Sequence, residues 1–325
     1  MLRSAKNLRE ISEKALVKAG APEDEARIIG DCLIEAELRG RPTHGLIRLP
    51  GIVRRAKQRA GKKPKIIKDE GHFLHLHGQG GIGYVTAFYA MKLAMERARE
   101  KGICLVGVCN ATHCGMLGYF VWMAAQEDLV GIMTADCGPM MAPYGGCESV
   151  LGTNPIAFGI PAMHFPIIID MGTSAITYGD LAIARRRGKK IPAGVALDSY
   201  GNPTTDPEEA RAGTLLPFGG HKGYCFGLLV QILSGAFVGA ATIPEGGRNY
   251  GYFLEVINPE IFTAIDVFKK EMAELVKTVK AVRPLPGFAR VLIPGERAAE
   301  EREKRLAQGI EIDDALTAEL EGLVT

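Results

Sequence analysis

The chain has 325 residues, 47% of them hydrophobic and 23% charged, and it carries a formal net charge of +2. This length and composition are those of a globular protein with one large core or two lobes, and not of a disordered chain. The nearly balanced charge argues against nucleic acid or a membrane surface as a partner.

The first half of the chain is predicted to begin with two helices, residues 4–19 and 22–39, since Pro22 suits a first helical turn and Gly40 a helix end. An amphipathic helix follows the polar turn RGRPTHG. Residues 65–77 alternate in polarity like a single strand. The elements expected next are a helix over residues 84–101, a buried strand ICLVGVCN, a short helix over residues 115–127 and a strand LVGIMTAD.

The second half is patterned differently. Two strands joined by turns are expected in LGTNPIAFGIPA and FPIIIDMGTSAIT, and the polar loop LDSYGNPTTDPEEARAG follows them. A helix is predicted over residues 221–240, and then a strand, YFLEVINPEIF, that runs into another helix. The last predicted elements are a strand FARVLI, a Pro-Gly turn and a charged helix.

This order of elements lacks the regular strand–helix alternation of a doubly wound parallel sheet. The predicted fold class is therefore α/β, with a mixed-sheet body over residues 71–296. Residues 1–70 are expected to form a smaller helical subdomain. The carboxy-terminal helices, residues 297–325, are candidates to join that subdomain.

Three features bear on where the protein works. Residues 224–243 form a run without charge, near the length that spans a bilayer. Because this run contains Gln231, Ser234 and several glycines, a helix buried on all sides is the better interpretation. The amino-terminal helix lacks the apolar core of a signal peptide. Seven cysteines without a CxxC pair indicate reduced thiols, so a cytoplasmic protein is expected.

Residues 77–84, HGQGGIGY, contain the GxGxxG spacing of a dinucleotide-binding loop. That fingerprint also requires an acidic residue at the end of the next strand, where it binds the ribose hydroxyls. Here the strand ends at Cys109 and Asn110, and no Asp or Glu stands there. We therefore expect the glycines to be turn residues between a strand and a helix, and a nucleotide to bind elsewhere.

Metal binding and thiol catalysis are both poorly supported. His72, His75 and His77 lie close together, and the last two share one strand face. No Asp or Glu has zinc-like spacing with them, so we expect half-exposed strand residues and no metal. His113 and Cys114 are adjacent, but neighbours along a chain usually point apart, so a thiol nucleophile is not indicated.

The segment RPTHGLIRLP offers a histidine beside a fixed cation. His44 follows Thr43, and Arg48 lies four residues further, on the same face if the tract is helical. An arginine can bind a carboxylate through two hydrogen bonds, and an imidazole can donate a proton to a carbonyl that is being reduced. A His near an Arg is also common as a structural pair, so this segment alone leaves both interpretations open.

The segment NATHCGMLGYF places polar residues at the end of a buried strand. His113 follows that strand, and Gly115 and Gly118 lie at the start of the next helix. Backbone N–H groups at a helix start can bind an anion, although a plain strand-to-helix turn explains the segment equally well.

Two more segments carry candidate residues. In IIIDMGTSAITYGD, Asp170 could cap a turn, and Asp180 could orient an imidazole. In GGHKGYCFG, His221 and Lys222 introduce the predicted helix over residues 221–240. Basic residues oppose the helix dipole at that end, so they favour binding of an external anion.

Seven of these pieces occur in the order found in one protein family. They are THGLIRLP, THCGMLGYF, GTNPIAFGIP, IIIDMGTS, ALDSYGNPTTDP, GGHKGYCFGLLVQILSG and LIPGER, and they run from about residue 43 to residue 297. The chain thus resembles the type-2 malate/L-lactate dehydrogenase family. The resemblance implies hydride transfer between NADH or NADPH and a small 2-oxo or cyclic imino acid. It also implies a cofactor-binding fold unlike the Rossmann fold, and a homodimer.

The resemblance also implies site residues. His44 is similar to the family's proton donor, with Thr43 and Asp180 assisting, and His113 has the acid–base role in some members. Arg48 is similar to the anchor for the substrate carboxylate, and Thr153 to a substrate contact. The implied cofactor-binding residues are Cys114, Gly115, Gly118, Cys137, Met171, Gly172, Thr173, His221, Lys222, Gly295, Glu296 and Arg297.

Two departures from the family pattern leave the substrate open. Position 43 is Thr where the family usually has Ser, so the hydroxyl is kept and a methyl is added. TADCGP replaces a turn that usually contains Asn, which puts Asp136 and Cys137 near the predicted site.

The function expected from the sequence is an NAD- or NADP-dependent dehydrogenase for malate, lactate or sulfolactate. Alternatives on the same scaffold are a piperideine- or pyrroline-2-carboxylate reductase and a ureidoglycolate dehydrogenase. An alternative from another class is a catalytically silent nucleotide-binding protein. The choice between NAD and NADP stays open, with Arg185, Arg297 and Arg302 as candidates to bind a ribose phosphate.

Overall fold

A computed structural model describes residues 2–324. The helices are α1 Ala5–Lys18, α2 Glu23–Leu38, α3 Leu49–Arg59, α4 Gly83–Lys101, α5 Leu117–Gln126, α6 Tyr178–Arg186, α7 Pro207–Ala212, α8 His221–Ser234, α9 Ile265–Lys280, α10 Glu296–Gln308 and α11 Asp314–Val324. The strands are β1 Leu2–Arg3, β2 Lys65–Asp69, β3 Phe73–His77, β4 Ile103–Ala111, β5 Val130–Ala135, β6 Ile156–Ile160, β7 Ile167–Met171, β8 Ala196–Leu197, β9 Thr214–Leu215, β10 Tyr250–Ile257 and β11 Ile310–Glu311.

Seven strands form the central sheet, in the order β2-β3-β4-β10-β5-β6-β7. Only β3 and β4 pair in parallel, and α4 connects them; every other neighbouring pair is antiparallel. This arrangement confirms the predicted mixed-sheet α/β fold.

The central sheet has helices on both faces, as the side chains of its middle strand β10 show. Tyr252, Leu254 and Val256 are buried in the main core together with side chains of α4 and α5. Because successive side chains of a strand point to opposite faces, Phe253 faces the other layer. There its ring lies 5.9 Å from that of Phe237, in the turn that follows α8.

The main core continues from the sheet into α1 and α2. A second, smaller core is separate from it. The carboxy-terminal helices pack against the amino-terminal ones, with α10 on α2 and α11 on α1. The smaller core is built by α6, α7, β8 and β9 with the chain around residues 141–151. Strand β2 falls within the predicted helical subdomain, residues 1–70, but belongs to the central sheet. The division of the chain into two domains stays a prediction.

Three predicted elements need correction. Residues 65–77 are a hairpin rather than one strand, because Gly71 turns the chain with φ +78° between β2 and β3. The predicted loop 197–213 contains the short helix α7, which Asp206 caps. Residues 288–293 form no strand; the nearby Pro294 carbonyl accepts a single hydrogen bond, from Ile168 N, at the edge of the sheet.

The prediction of a helix buried on all sides was also wrong. Helix α8 ends at Ser234, where Gly235 breaks it, and one side of α8 faces out of the chain. Phe226, Leu229 and Ile232 on that side are 42–50% exposed. Within residues 2–324, no helix has the length and apolar character needed to cross a membrane.

Candidate active site

The loop between α2 and α3 holds Thr43, His44 and Arg48. Thr43 Oγ1 lies 3.0 Å from His44 Nδ1, and Arg48 Nε donates a hydrogen bond of 2.7 Å to the Thr43 carbonyl. The buried carboxylate of Glu37 fixes this loop by accepting from Leu46 N at 2.8 Å. A side chain at Gly45 would overlap that carboxylate and push it away from Leu46 N, so glycine keeps this contact.

His113 reaches the same place from the end of β4. Its ring stacks on that of His44, with centroids 6.2 Å apart and planes 17° from parallel. The Gly115 N–H donates to His113 Nδ1 at 3.2 Å. Nδ1 therefore carries no proton, and in the neutral ring the hydrogen is on Nε2.

Both imidazoles have low pKa values. Burial, followed by the charges of Arg48 and Arg41, lowers the pKa of His44 from 6.5 to about 4, while Asp180 opposes this shift. Burial, Arg48 and His44 lower the pKa of His113 to about 3. The side chain of His113 is exposed and lines a cavity. Both rings are therefore neutral at pH 7.

These pKa values predict how stability depends on pH. The unfolded chain binds protons on these histidines near pH 6.5, whereas the folded chain binds them only near pH 4 and below. Their contribution to the free energy of unfolding is therefore present above pH 6.5 and is lost as the pH falls toward 4. Urea titrations between pH 7 and pH 4 should show a smaller loss in His113→Asn than in the wild type. Equal losses would contradict the low pKa.

A cavity at this point unites residues that are distant in the sequence. Most of the predicted substrate and cofactor residues line it: Thr43, His44, Arg48, Cys114, Gly115, His113, Cys137, Thr153, Met171, Gly172 and Asp180. Cys137 Sγ lies 3.6 Å from Thr153 Oγ1. Asp136 also lines the cavity, accepts a hydrogen bond from Gly251 N at 2.8 Å, and has its pKa raised by burial to about 8.

Asp180 acts on His44 through its charge. Its Oδ2 accepts a hydrogen bond of 2.7 Å from Thr177 Oγ1 in the capping box of α6, and it makes none with His44. The neighbouring Gly179 leaves room for the extra methyl at position 43, since a Cβ at position 179 would lie 2.8 Å from that methyl, Thr43 Cγ2. The threonine departure is thus accommodated by a glycine.

A second cavity extends the first into a groove, since the two share Arg41, Met116 and Asp170. The outer part is lined by Gly118, Gly295 and Arg297 together with Arg39. Helices α5 and α10 both begin at this outer part, where helix N-termini favour anions. Asp170 Oδ2 accepts a hydrogen bond of 2.8 Å from Gly118 N.

Four predicted cofactor residues do not line the groove. His221 and Lys222 are exposed at the start of α8, outside both cavities. Glu296 is buried in an ion pair of 2.5 Å with Lys280, so its carboxylate has a structural contact. Thr173 is buried and donates a hydrogen bond of 3.1 Å to the Thr153 carbonyl, so it supports the site from behind.

Sequence reasoning missed several lining residues. Arg41, the first residue of the segment RPTHGLIRLP, lines both cavities. Tyr84, Met140 and Tyr250 also line the site, and they come from three separate elements or turns. Only Arg41 had a usable signal, as a cation directly before the turn that carries His44. The other three are themselves apolar or aromatic residues, which look like core in sequence.

The glycine loop 77–84 is not a phosphate cradle. Its N–H groups are already bonded within the chain: Gly78 to Cys109 O, Gly80 to Asn110 O, Gly81 to Gly78 O and Gly83 to Thr112 Oγ1, at 2.8–3.0 Å. A Cβ at Gly83 would overlap the carbonyl oxygens of Thr112 and His113. The glycines therefore let this loop pack directly on the segment that carries His113.

This packing makes a prediction for Gly83→Ala. The added methyl should lower the free energy of unfolding by about 2 kcal/mol or more, because backbone must move to admit it. Gly30→Ala, a helix position where the added Cβ meets only ordinary contacts of 3.5 Å and longer, is the control. Urea denaturation measures both variants. Normal stability with lost coenzyme affinity in Gly83→Ala would instead support a phosphate loop.

The histidines of β3 have protein partners. His75 Nε2 lies 2.9 Å from the Val238 carbonyl, and His77 Nε2 lies 3.1 Å from Asn110 Nδ2. Residues 2–324 contain no group of three His, Cys, Asp or Glu side chains placed to hold a metal ion.

Comparison with known proteins gives a consistent result. Residues 3–321 match the family model described as malate/L-lactate dehydrogenase. The chain is 40% identical to malate dehydrogenase of Pyrococcus abyssi, over 94% of this chain and 90% of that protein. It is 37% identical to L-sulfolactate dehydrogenase of Methanothermobacter thermautotrophicus, over 97% of this chain and 94% of that protein. The solved structure of malate dehydrogenase from Pyrococcus horikoshii superposes with a TM-score of 0.91 at 33% sequence identity, over 99% of this chain and 94% of that one. The chain therefore belongs to the malate/L-lactate dehydrogenase family.

Proposed function

We propose that the protein is an NAD- or NADP-dependent dehydrogenase that interconverts a small 2-oxo acid and its 2-hydroxy acid. The observation that carries this proposal is the position of His44, Arg48 and His113 around one end of a long groove. A cation for the carboxylate and neutral imidazoles for the proton are the groups that this reaction requires.

Arg48 binds the substrate carboxylate. Its Nε is held by the Thr43 carbonyl at 2.7 Å, and no carboxylate of residues 2–324 forms an ion pair with it. The terminal nitrogens of the guanidinium are therefore available for an acidic ligand, which they can bind with two parallel hydrogen bonds.

His44 handles the proton. Its Nδ1 contacts the Thr43 hydroxyl, which leaves Nε2 for the oxygen of the substrate. Nδ1 of His113 already accepts from Gly115 N, so His113 presents only an Nε2–H and serves as a hydrogen-bond donor to that oxygen. This difference favours His44 over His113 as the proton donor.

Substrate binding readies His44 for reduction. The charge of Arg48 is one of the factors that lower the pKa of His44. A bound carboxylate neutralises that charge, so the pKa of His44 rises when the 2-oxo acid binds. In the direction of oxidation, the neutral resting imidazole is already the base that accepts the proton of the hydroxyl group.

The groove fits a dinucleotide. Arg39 lines the outer part, and its Nη2 is buried without a hydrogen-bond partner in the described chain, so an anionic group is expected there. The start of α5, Met171–Gly172 and Gly295–Arg297 would hold the coenzyme, which supplies or accepts the hydride when bound. Of the three arginines considered from the sequence, Arg297 lines the groove, whereas Arg185 pairs with Glu208 and Arg302 with Glu35. Arg297, Arg41 and Arg39 are therefore the candidates to contact a ribose phosphate of NADP.

The test is a panel of 2-oxo acids with NADH and with NADPH, followed by absorbance at 340 nm. Consumption of the reduced coenzyme with at least one small 2-oxo acid is the expected result. A cyclic imino acid in the same panel separates the reductase alternative. No turnover with any acid and either coenzyme would overturn the proposal and favour a silent nucleotide-binding protein.

We also propose a cytoplasmic homodimer. All seven cysteines are free, as expected in a reducing compartment. Helix α9 is amphipathic but has no buried side chain, so its apolar face is uncovered. Phe226 and Ile232 of α8 are exposed apolar side chains as well. A second copy that covers these helices is supported by the family resemblance. Sedimentation equilibrium should give twice the chain mass, and Ile232→Glu should give monomer; a monomeric wild type would contradict the dimer.

A further inference from the structure

We propose that Asp136 takes part in the reaction as a hydrogen-bond donor, a neutral carboxylic acid that donates from Oδ2 to a carbonyl oxygen bound in the active site. This inference rests on the proposed function and adds a binding residue to it. The acceptor is either the carboxamide oxygen of the nicotinamide or an oxygen of the 2-oxo acid, and binding measurements distinguish the two.

Asp136 lies in the wall of the active site, in the turn that follows β5. It is 2% exposed, and it lines the cavity that also contains His44, His113 and Arg48. The outer groove does not include it, so it lies at the end where the reacting atoms meet. A carboxyl group that lines this cavity and is almost closed to solvent is placed to contact a bound ligand.

No cation balances the Asp136 carboxyl group. Within residues 2–324, no Lys, Arg or His side chain forms an ion pair with it. The titratable groups nearest to it are Cys137 in the same turn and Tyr250 and Tyr252 of β10, and burial raises the pKa of all three. These groups are neutral at pH 7 and offer no positive charge to a carboxylate.

The end of α8 also disfavours a negative charge at Asp136. A Cβ at Gly235, the residue that ends α8, would lie 3.5 Å from Asp136 Oδ2. The carboxyl end of a helix carries partial negative charge, because its last carbonyl groups have no partner within the helix. Repulsion from this helix end favours the neutral acid over the carboxylate.

The pKa of Asp136 agrees with this surrounding. Burial raises it to about 8, while hydrogen bonds from Gly251 N and from the backbone N–H of Asp136 itself oppose the shift. Burying an unpaired carboxylate is so costly that such a group takes up a proton instead. The charged and titratable side chains that line the same cavity do not contribute to this shift; they are Arg41, Arg48, His44, His113, Asp170 and Asp180.

The hydrogen bonds of Asp136 determine which oxygen carries the proton. Oδ1 accepts from Gly251 N at 2.8 Å, whereas Oδ2 has only a long contact of 3.4 Å with Gln231 Nε2. The Gln231 amide is fixed in orientation, since its Nε2 donates to the Thr242 carbonyl at 2.8 Å and its Oε1 accepts from Asn154 Nδ2 at 2.9 Å. Both partners of Asp136 are donors, so neither can accept its proton. The proton on Oδ2 is therefore available to an acceptor in the cavity.

The pH dependence of the oxidation reaction is the first test. In this direction neutral His44 is the base from about pH 4 upward, so it adds no loss of activity at alkaline pH. Wild-type kcat/KM for the 2-hydroxy acid should fall about tenfold between pH 7 and pH 9, because Asp136 ionises near pH 8. Asp136→Asn keeps a donor that does not ionise, so its kcat/KM should change less than about twofold. A wild type without the fall, or an Asp136→Asn that shares it, would overturn the proposal.

Two further variants separate binding from structure. Asp136→Leu has a similar size and no donor, so its kcat/KM should be lower than that of Asp136→Asn at both pH values. Equal kcat/KM in the two variants would show that Asp136 is only structural. Asp24→Asn, an exposed acid of α2 outside the cavity, is the control and should lose activity between pH 7 and pH 9 as the wild type does.

An infrared measurement tests the protonation without turnover. The difference spectrum between pH 7 and pH 9 should contain the C=O stretch of a protonated carboxyl group in the wild type, and Asp136→Asn should lack that band. The same spectrum in both proteins would show that Asp136 is already a carboxylate at pH 7, which would overturn the proposal.

Binding at the two pH values identifies the acceptor. Weaker NADH binding at pH 9 than at pH 7 in the wild type, but not in Asp136→Asn, would assign the nicotinamide carboxamide. Unchanged NADH binding with weaker binding of oxalate to the NADH complex would assign the substrate oxygen. Binding of both that does not depend on pH would overturn the proposal. Absence of turnover with every 2-oxo acid would overturn the dehydrogenase instead, and the infrared and binding results would still decide the role of Asp136.

Discussion

Replacing His44 by alanine should lower turnover of the 2-oxo acid by at least about a hundredfold, the usual contribution of general acid catalysis. The imidazole lies 3.0 Å from Thr43 Oγ1 and stacks on His113, so its removal leaves His113 alone, which is placed as a hydrogen-bond donor and not as the acid. Coenzyme binding should change little, because the outer groove does not include position 44. Steady-state kcat at saturating substrate and a fluorescence titration with NADH measure the two effects.

The control for this variant is His72→Ala, an exposed histidine in the turn between β2 and β3. It should keep normal turnover. His113→Ala should also lose activity, but its loss should include a higher KM, because His113 is placed as a hydrogen-bond donor. Near-normal turnover in both His44→Ala and His113→Ala would rule out this mechanism.

Arg48→Ala is expected to lower kcat/KM at least about a hundredfold, since loss of one partner of a hydrogen-bonded ion pair costs about 2–5 kcal/mol. Arg48→Lys keeps the charge but cannot form the two parallel hydrogen bonds, so it should recover only part of this loss. Arg54→Ala on the same helix is the control. The measurement is kcat/KM for the preferred 2-oxo acid.

A second outcome decides what Arg48 does. If it binds the carboxylate, KM rises steeply in Arg48→Ala while the pKa of His44, no longer lowered by that charge, moves up. The pH profile of kcat/KM should shift accordingly. A variant that keeps its KM and loses only thermal stability would show that Arg48 is a structural residue.

The fold class could be predicted because the order of the elements lacks regular alternation. The strand order could not be predicted, because β10 inserts between β4 and β5 from more than a hundred residues away. Such non-local pairings leave no trace in local periodicity. The apolar character of α8 was visible, but hydrophobicity does not tell how much of a helix its own chain covers.

The candidate site was predictable where polar residues interrupt an apolar pattern. Thr43, His44 and Arg48 stood out in a short loop, and the structure places them together. Tyr84 did not stand out, because an aromatic residue at a helix start looks like core. The glycine loop that precedes Tyr84 suggested a nucleotide, yet it serves to pack the loop against the strand that carries His113.

The most direct test of the central claim is a crystal structure with NADH and oxalate, an unreactive stand-in for the two-carbon head of a 2-oxo acid. The expected result has the diphosphate at the starts of α5 and α10, and oxalate on Arg48 beside His44. A diphosphate seated on residues 78–83, far from both side chains, would contradict the proposed site.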